Sequence, residues 1–195
     1  MLTRRWDGRQ AWRAEAGAAT HEWYYELPAF AHEELDGLVR RLAMTDGSLT
    51  EISAREDDLP ICRTALRPVA EALERGLGFA IVVGPPVQKY STRERQLMYW
   101  LIGQLLGQPI VQDVQETLLY DVRDTGQDVR YGARFSITNA ESTFHTDNSF
   151  GDDVCDYVGL HCLRTAKSGG QSQMVSSYAV HNMLLDEHPE VLDVL

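Results

Sequence analysis

The residues best placed to do chemistry are His145-Thr146-Asp147. In an extended chain, positions i and i+2 project to the same face about 6.5 to 7 Å apart, so an imidazole and a carboxylate can converge on one ion. A neutral His and an Asp, completed by a second His, form the facial triad that holds Fe(II) and leaves positions open for an oxidisable cosubstrate and dioxygen. The spacing alone is weak: 6 His among 29 acidic residues give about one H-x-[DE] by chance, and three occur. His32-Glu33-Glu34 opens a helical pattern and His188-Pro189-Glu190 crosses a helix start, so neither pair shares a strand face. Only His145 stands in a strand-rich stretch, flanked by apolar Phe144, which can shield a site, and by polar Asn148 and Ser149. A three-ligand zinc site that activates water and a silent binding protein are the alternative readings.

The elements that must position this motif follow from hydrophobic spacing. After Pro28, Leu35, Leu38, Val39 and Leu42 recur at helical period, with Glu33 and Glu34 expected in the first turn. Leu66, Val69, Ala70, Leu73 and Leu77 predict a second helix that stops at Gly76 to Gly78 and leads into an apolar strand, 79–83. Ser91-Thr92-Arg93-Glu94 has the form of a capping box and opens a helix carrying Leu97, Trp100, Leu101 and Leu105, which Gly107 and Pro109 end. Beyond Pro109 the period changes, and 117–122, 133–138, 157–163 and 173–176 are expected as short strands. Ser176 and Ser177 then cap a helix bearing Tyr178, His181, Leu184 and Leu185, and Pro189 begins another.

The 195 residues suit one domain, 1–195, whose core needs neither disulfide nor metal to hold it, so a metal would serve chemistry. Three cysteines, Cys62, Cys155 and Cys162, form no C-x-x-C and are expected as buried free thiols. A net charge of −11 is the wrong sign for phosphate-backbone contact, which argues against a nucleic-acid partner. No apolar run approaches the length of a membrane helix, and Arg4-Arg5 is followed by a polar stretch where an export signal needs an apolar one, so the expected location is cytoplasmic. The expected partner is a small-molecule substrate, and a homo-oligomer is left open. Trp6, Trp12, Trp23, Tyr24 and Tyr25 are expected to pack on the core rather than to form a lid.

Phe144 to Phe150, Asp156 to Leu160 and Ala166 to Ser172 together resemble the taurine dioxygenase (TauD/TfdA-like) family of Fe(II)- and 2-oxoglutarate-dependent oxygenases. The likeness extends over Gly78 to Val82, Leu118 to Val122 and Ser176 to Asn182, and is clearest across 65–195. It implies an α+β fold with a mainly β core, a double-stranded β-helix or jelly roll of the clavaminate synthase kind with flanking helices. It implies His145 and Asp147 as iron ligands, with 2-oxoglutarate as cosubstrate, dioxygen as oxidant, and hydroxylation of a small polar substrate with release of succinate and carbon dioxide. Ser172 falls where the family's Gly-Gly-x-Thr pattern puts a hydroxyl on the remote carboxylate of 2-oxoglutarate; Ser keeps the donor and loses the methyl that stiffens Thr. The family's third ligand, a His, and its cosubstrate Arg come from far downstream of the second ligand, and only 48 residues follow Asp147, so the expectation is a C-terminally truncated jelly roll that is inactive by itself. Arg134, Asn139 and Glu141 lie on the approach to the motif and suit a polar or zwitterionic substrate; a solvated strand edge accounts for them equally well.

Overall fold

In the computed structural model, residues 4–14, 22–113, 115–147, 154–192 and 194 are described. Strand β1 (Tyr24–Glu26) leads through Leu27-Pro28 into helix α1 (Ala29–Ala43). A short 3-10 turn at Leu49–Glu51 follows, then helix α2 (Pro60–Arg75), strand β2 (Ile81–Val83) and helix α3 (Thr92–Leu106). The two strands run parallel, pairing Tyr24 with Ile81, Tyr25 with Val82 and Glu26 with Val83. Parallel strands need a long crossover, and here it is the α1–α2 pair.

The apolar stripes expected from spacing are the ones that meet. Leu35, Val39, Leu66, Val69, Leu97 and Leu101 are at most 2% exposed and form one cluster among α1, α2 and α3. Burying each such side chain removes it from water at about 1.5–3 kcal/mol, which dominates the stability of this half of the chain. The capping box at α3 forms as the sequence indicates: Ser91 Oγ accepts from the Glu94 amide at 3.3 Å, and Glu94 Oε2 accepts from the Ser91 amide at 2.7 Å. The acidic pair of α1 has a different job from the one expected. The first turn of α1 holds no acid, because the helix starts at Ala29; instead Glu34 reaches across to α2 and accepts from the amides of Ile61 (3.1 Å) and Cys62 (2.8 Å). Leu59, the residue before α2, has no side chain able to cap and sits at φ 57°, so a carboxylate from a neighbouring helix satisfies donors that the local sequence leaves open.

The second half departs from expectation. None of 117–122, 133–138, 157–163 or 173–176 forms a strand; apart from 3-10 turns at Val129–Tyr131 and Phe135–Ile137, residues 107–175 carry no regular structure where described. The double-stranded β-helix is therefore not formed by the described residues, whose sheet has two strands. The physical reason lies in pairing. A strand is held by a neighbour's ladder, and here cross-chain bonds are isolated: Gln112 N to Thr117 O, Arg123 N to Ser136 O and Thr125 N to Ile137 O. Apolar side chains in this stretch stay exposed, among them Val122, Phe144, Val158, Leu160 and Met174. After it come helices α4 (Ser177–Glu187), capped by Ser176 as expected, and α5 (Pro189–Leu192).

The thiols also divide. Cys62 is buried, Cys155 is partly buried and Cys162 is exposed, so the expectation of three buried thiols holds for the first alone. Cys62 Sγ donates to the Ala31 carbonyl at 3.3 Å, and burial, reinforced by the Glu34 carboxylate, pushes its thiol up to about 12. Among the described residues no helix is long and apolar enough to cross a membrane.

Leu97→Ala is expected to destabilise the chain by about 2–5 kcal/mol in urea unfolding, the usual cost of a cavity in a closed core. Because the native Cys62 thiol ionises above its unfolded value, its contribution is complete below about pH 8.5 and is lost as pH rises toward 12. Alkaline unfolding curves of wild type and Cys62→Ala should accordingly converge across that window.

Candidate functional site

Residues 141–147 form no strand, yet the expected pair converges: His145 Nε2 lies 3.4 Å from Asp147 Oδ1. The imidazole is oriented from its other nitrogen. His145 Nδ1 donates to the Thr143 carbonyl oxygen at 2.7 Å, with Ser142 Oγ at 3.3 Å, so the tautomer that keeps Nε2 free as a lone-pair donor is favoured. Such a carbonyl behind a histidine is the common support of a metal-binding imidazole. Both side chains are about half exposed and face solvent.

The same proximity occurs elsewhere, which shows what the spacing does and does not signify. His188 Nδ1 lies 3.4 Å from Glu190 Oε1, although the sequence places that pair at a helix start. There the ring nitrogen nearest the backbone makes the contact itself. At His145 that nitrogen is taken by Thr143, and Nε2 points outward beside the carboxylate. The third H-x-[DE] motif separates altogether: Glu34 caps α2, and His32 Nε2 is buried without a partner.

Against iron, the donor set fits in part. One imidazole nitrogen and one carboxylate oxygen are the ligand types Fe(II) takes, and 3.4 Å lets both reach one divalent ion whose bonds to such atoms run about 2.0–2.2 Å. Among the described residues no group of three His, Cys, Asp or Glu gathers here or elsewhere. Asn148, Ser149 and Phe150 of the motif lie outside the described residues.

Ser172 is exposed and follows Gly169-Gly170, whose φ values of 67° and 68° are both in the left-handed region that glycine tolerates. No hydrogen bond joins Ser172 to the His145 segment among the described residues. Asn139 lines a shallow concavity of about 290 Å³ with Asp124, Gln127 and Thr138; Arg134 and Glu141 are exposed and outside it. Arg134 helps hold the Asp113 carboxyl below its usual range, after the larger effect of the Thr117 amide and hydroxyl. The structure thus brings His145 and Asp147 together, and among the described residues no hydrogen bond or ion pair joins Ser172, Arg134, Asn139 or Glu141 to them.

Of the remaining downstream histidines, His181 Nε2 sits 3.2 Å from the Arg4 carbonyl and His161 lies against Tyr99, so both are engaged structurally. The Tyr99 contact was not apparent from sequence, since Tyr99 reads there as one more α3 residue. Its ring stacks on His161 (5.6 Å between centroids, 19° between planes), and its hydroxyl donates to the Gly159 carbonyl. A Cβ on Gly159 would stand 2.7 Å from that hydroxyl, so the close approach requires glycine. This seam fastens 157–163 to the helical core. Of the N-terminal aromatic residues expected on the core, Tyr25 packs against it, whereas Trp12 and Trp23 pack on Phe79, Trp6 stacks on Tyr178, and Tyr24 is half exposed.

A family model described as "Taurine catabolism dioxygenase TauD, TfdA family" matches residues 45–195. Among curated proteins, FR-33289 synthase of Streptomyces rubellomurinus (strain ATCC 31215) is 25% identical over 187 residues, covering 95% of this chain and 53% of its own length. Taurine hydroxylase-like protein SAT17 of Stachybotrys chartarum (strain CBS 109288 / IBT 7711) is 25% identical over 145 residues, 70% of this chain and 36% of its own. The chain therefore spans about half the length of the first of these relatives and about a third of the second.

Two outcomes test the Tyr99 seam. Gly159→Ala is expected to detach 157–163, read as loss of the Tyr99–His161 ring-current shifts in NMR, with α3 unchanged. Burial, and to a lesser degree the Arg95 guanidinium, lowers the His161 pKa, so the neutral ring is the one that stacks. The seam is then fully formed above about pH 6.5 and is lost as pH falls through the lowered native value; the same shifts, followed from pH 8 to 5, should fade reversibly.

Proposed function

This chain belongs to the TauD, TfdA dioxygenase family, and on that premise we propose that the whole protein is an Fe(II)- and 2-oxoglutarate-dependent oxygenase that hydroxylates a small polar substrate. The observation that carries the reading is the His145–Asp147 pair, with Nε2 and Oδ1 3.4 Å apart and the imidazole held from behind by the Thr143 carbonyl. In this reading His145 and Asp147 hold the ferrous ion. Thr143 fixes the imidazole tautomer, so that Nε2 presents a lone pair, and the Ser172 hydroxyl donates to the remote carboxylate of 2-oxoglutarate. When bound, Fe(II) with 2-oxoglutarate and dioxygen supplies the oxidation, with succinate and carbon dioxide released. The third histidine and the cosubstrate arginine come from length that this chain does not span.

The β-helix belongs to the same proposal. Val158, Leu160, Met174 and Val175 are 50–79% exposed, which is the state of strand residues whose covering layer is not among the described residues. Partnered, 117–122, 133–138, 157–163 and 173–176 become its strands, and the concavity beside Asn139, with Arg134 and Glu141 near it in the chain, receives the polar substrate. The net charge of −11 favours such a small-molecule partner over nucleic acid.

The test is anaerobic addition of Fe(II) and 2-oxoglutarate to the whole protein. A weak visible charge-transfer band is expected, absent in His145→Ala and Asp147→Ala, with iron affinity reduced about 100-fold or more in each. No band from the unsubstituted protein would sink the proposal.

A further inference from the structure

The described N-terminal residues 4–12 precede the family match, yet they make polar contacts of very long sequence separation. Trp6 N donates to Asn182 Oδ1 at 2.8 Å, and Asn182 Nδ2 donates back to the Trp6 carbonyl at 2.8 Å. Asn182 is only 5% exposed, so this reciprocal pair satisfies an amide that would otherwise be buried unpaired. Around it, Trp6 stacks on Tyr178 at 4.8 Å, Arg5 pairs with Asp186, and the Ser176 hydroxyl donates to the Gln10 carbonyl. The strap is tied at its other end to the helical core: Gln10 Nε2 donates to Glu74 O at 3.1 Å and Trp12 Nε1 to Leu77 O at 2.9 Å. It thus joins the end of α2 to the N-cap and body of α4, from Ser176 to Asp186.

Among the described residues, 162–175 make no hydrogen bond to the remainder, and their flanks are the Tyr99 seam on one side and Ser176 on the other. Ser176 is buried and Ser172 stands four residues before it, within about 14 Å of reach. We propose that the strap 4–12 is a positioning element for the Gly169–Ser172 segment, acting through Ser176, with Trp6 and Asn182 as its positioning residues. This rests on the assignment of Ser172 to the cosubstrate made above.

The experiment uses the whole protein loaded with Mn(II), comparing Asn182→Ala, Trp6→Ala, Trp6→Phe and Ser172→Ala, each with native far-UV circular dichroism. Asn182→Ala and Trp6→Ala are expected to raise amide exchange across 179–187 at least tenfold while 92–106 is unchanged, and to weaken 2-oxoglutarate binding by calorimetry about tenfold. Trp6→Phe keeps the stacked ring and the main-chain pair, and is expected to keep both values. Unchanged exchange at 179–187, or faster exchange with unchanged 2-oxoglutarate affinity while Ser172→Ala weakens it, overturns the strap's role alone. If Ser172→Ala binds 2-oxoglutarate as the wild type does, the assignment of Ser172 falls, and the positioning role falls with it.

Discussion

The contact on which everything else depends is the closing of α1, α2 and α3 over Leu35, Leu66, Leu97 and Leu101. No polar group of these side chains needs a partner, so the cluster gains from burial without a desolvation cost. Once closed, it fixes the direction of α3, and α3 then offers Tyr99 and Gln96 on its outer side to later parts of the chain. It also fixes the end of α2, where Glu74 O and Leu77 O receive the N-terminal strap. The irregular half is attached to the core through these few points and contributes little apolar burial of its own.

Polar side chains in this molecule act chiefly as bolts across sequence distance. Glu34 completes a helix end that its own neighbourhood cannot cap, Asn182 ties the N-terminal strap to α4, and Trp100 Nε1 holds the Ile52 carbonyl at 2.7 Å. Each satisfies a backbone group that folding removes from water, and buried backbone groups left unpaired are costly. The His145–Asp147 pair is built differently. Its support is local, through Thr143 two residues back, and its open side faces solvent, which suits a pair that receives something rather than one that closes a core.

The helical half was legible because its information is local. Periodic leucines, the Ser91–Glu94 box and the glycines after α2 each act within a few residues, and the three helices appear where those signals stand. The strands expected in 107–175 are not formed by the described residues, for the complementary reason. Alternating apolar residues state which face a strand would bury but not what lies opposite, and strands are held by partners remote in the chain. The Glu33–Glu34 pair shows the same limit: the first helical turn expected to hold it begins earlier, at Ala29, and the helix that Glu34 serves was not readable from its neighbours.

From residue order alone came the three core helices, the Ser176 cap and the identity of the two groups, imidazole and carboxylate, that meet at 145 and 147. Tertiary structure alone decided that His145 is oriented by a carbonyl while the similarly spaced His188 is not, and that His161 is taken up by Tyr99. It alone decided, too, that residues 4–12 return to hold a helix more than 160 positions away. The division follows range: propensities, caps and spacings act over one or two turns and are written in neighbouring letters, while the partner of a hydrogen bond across the fold exists only after the core has chosen which surfaces face each other.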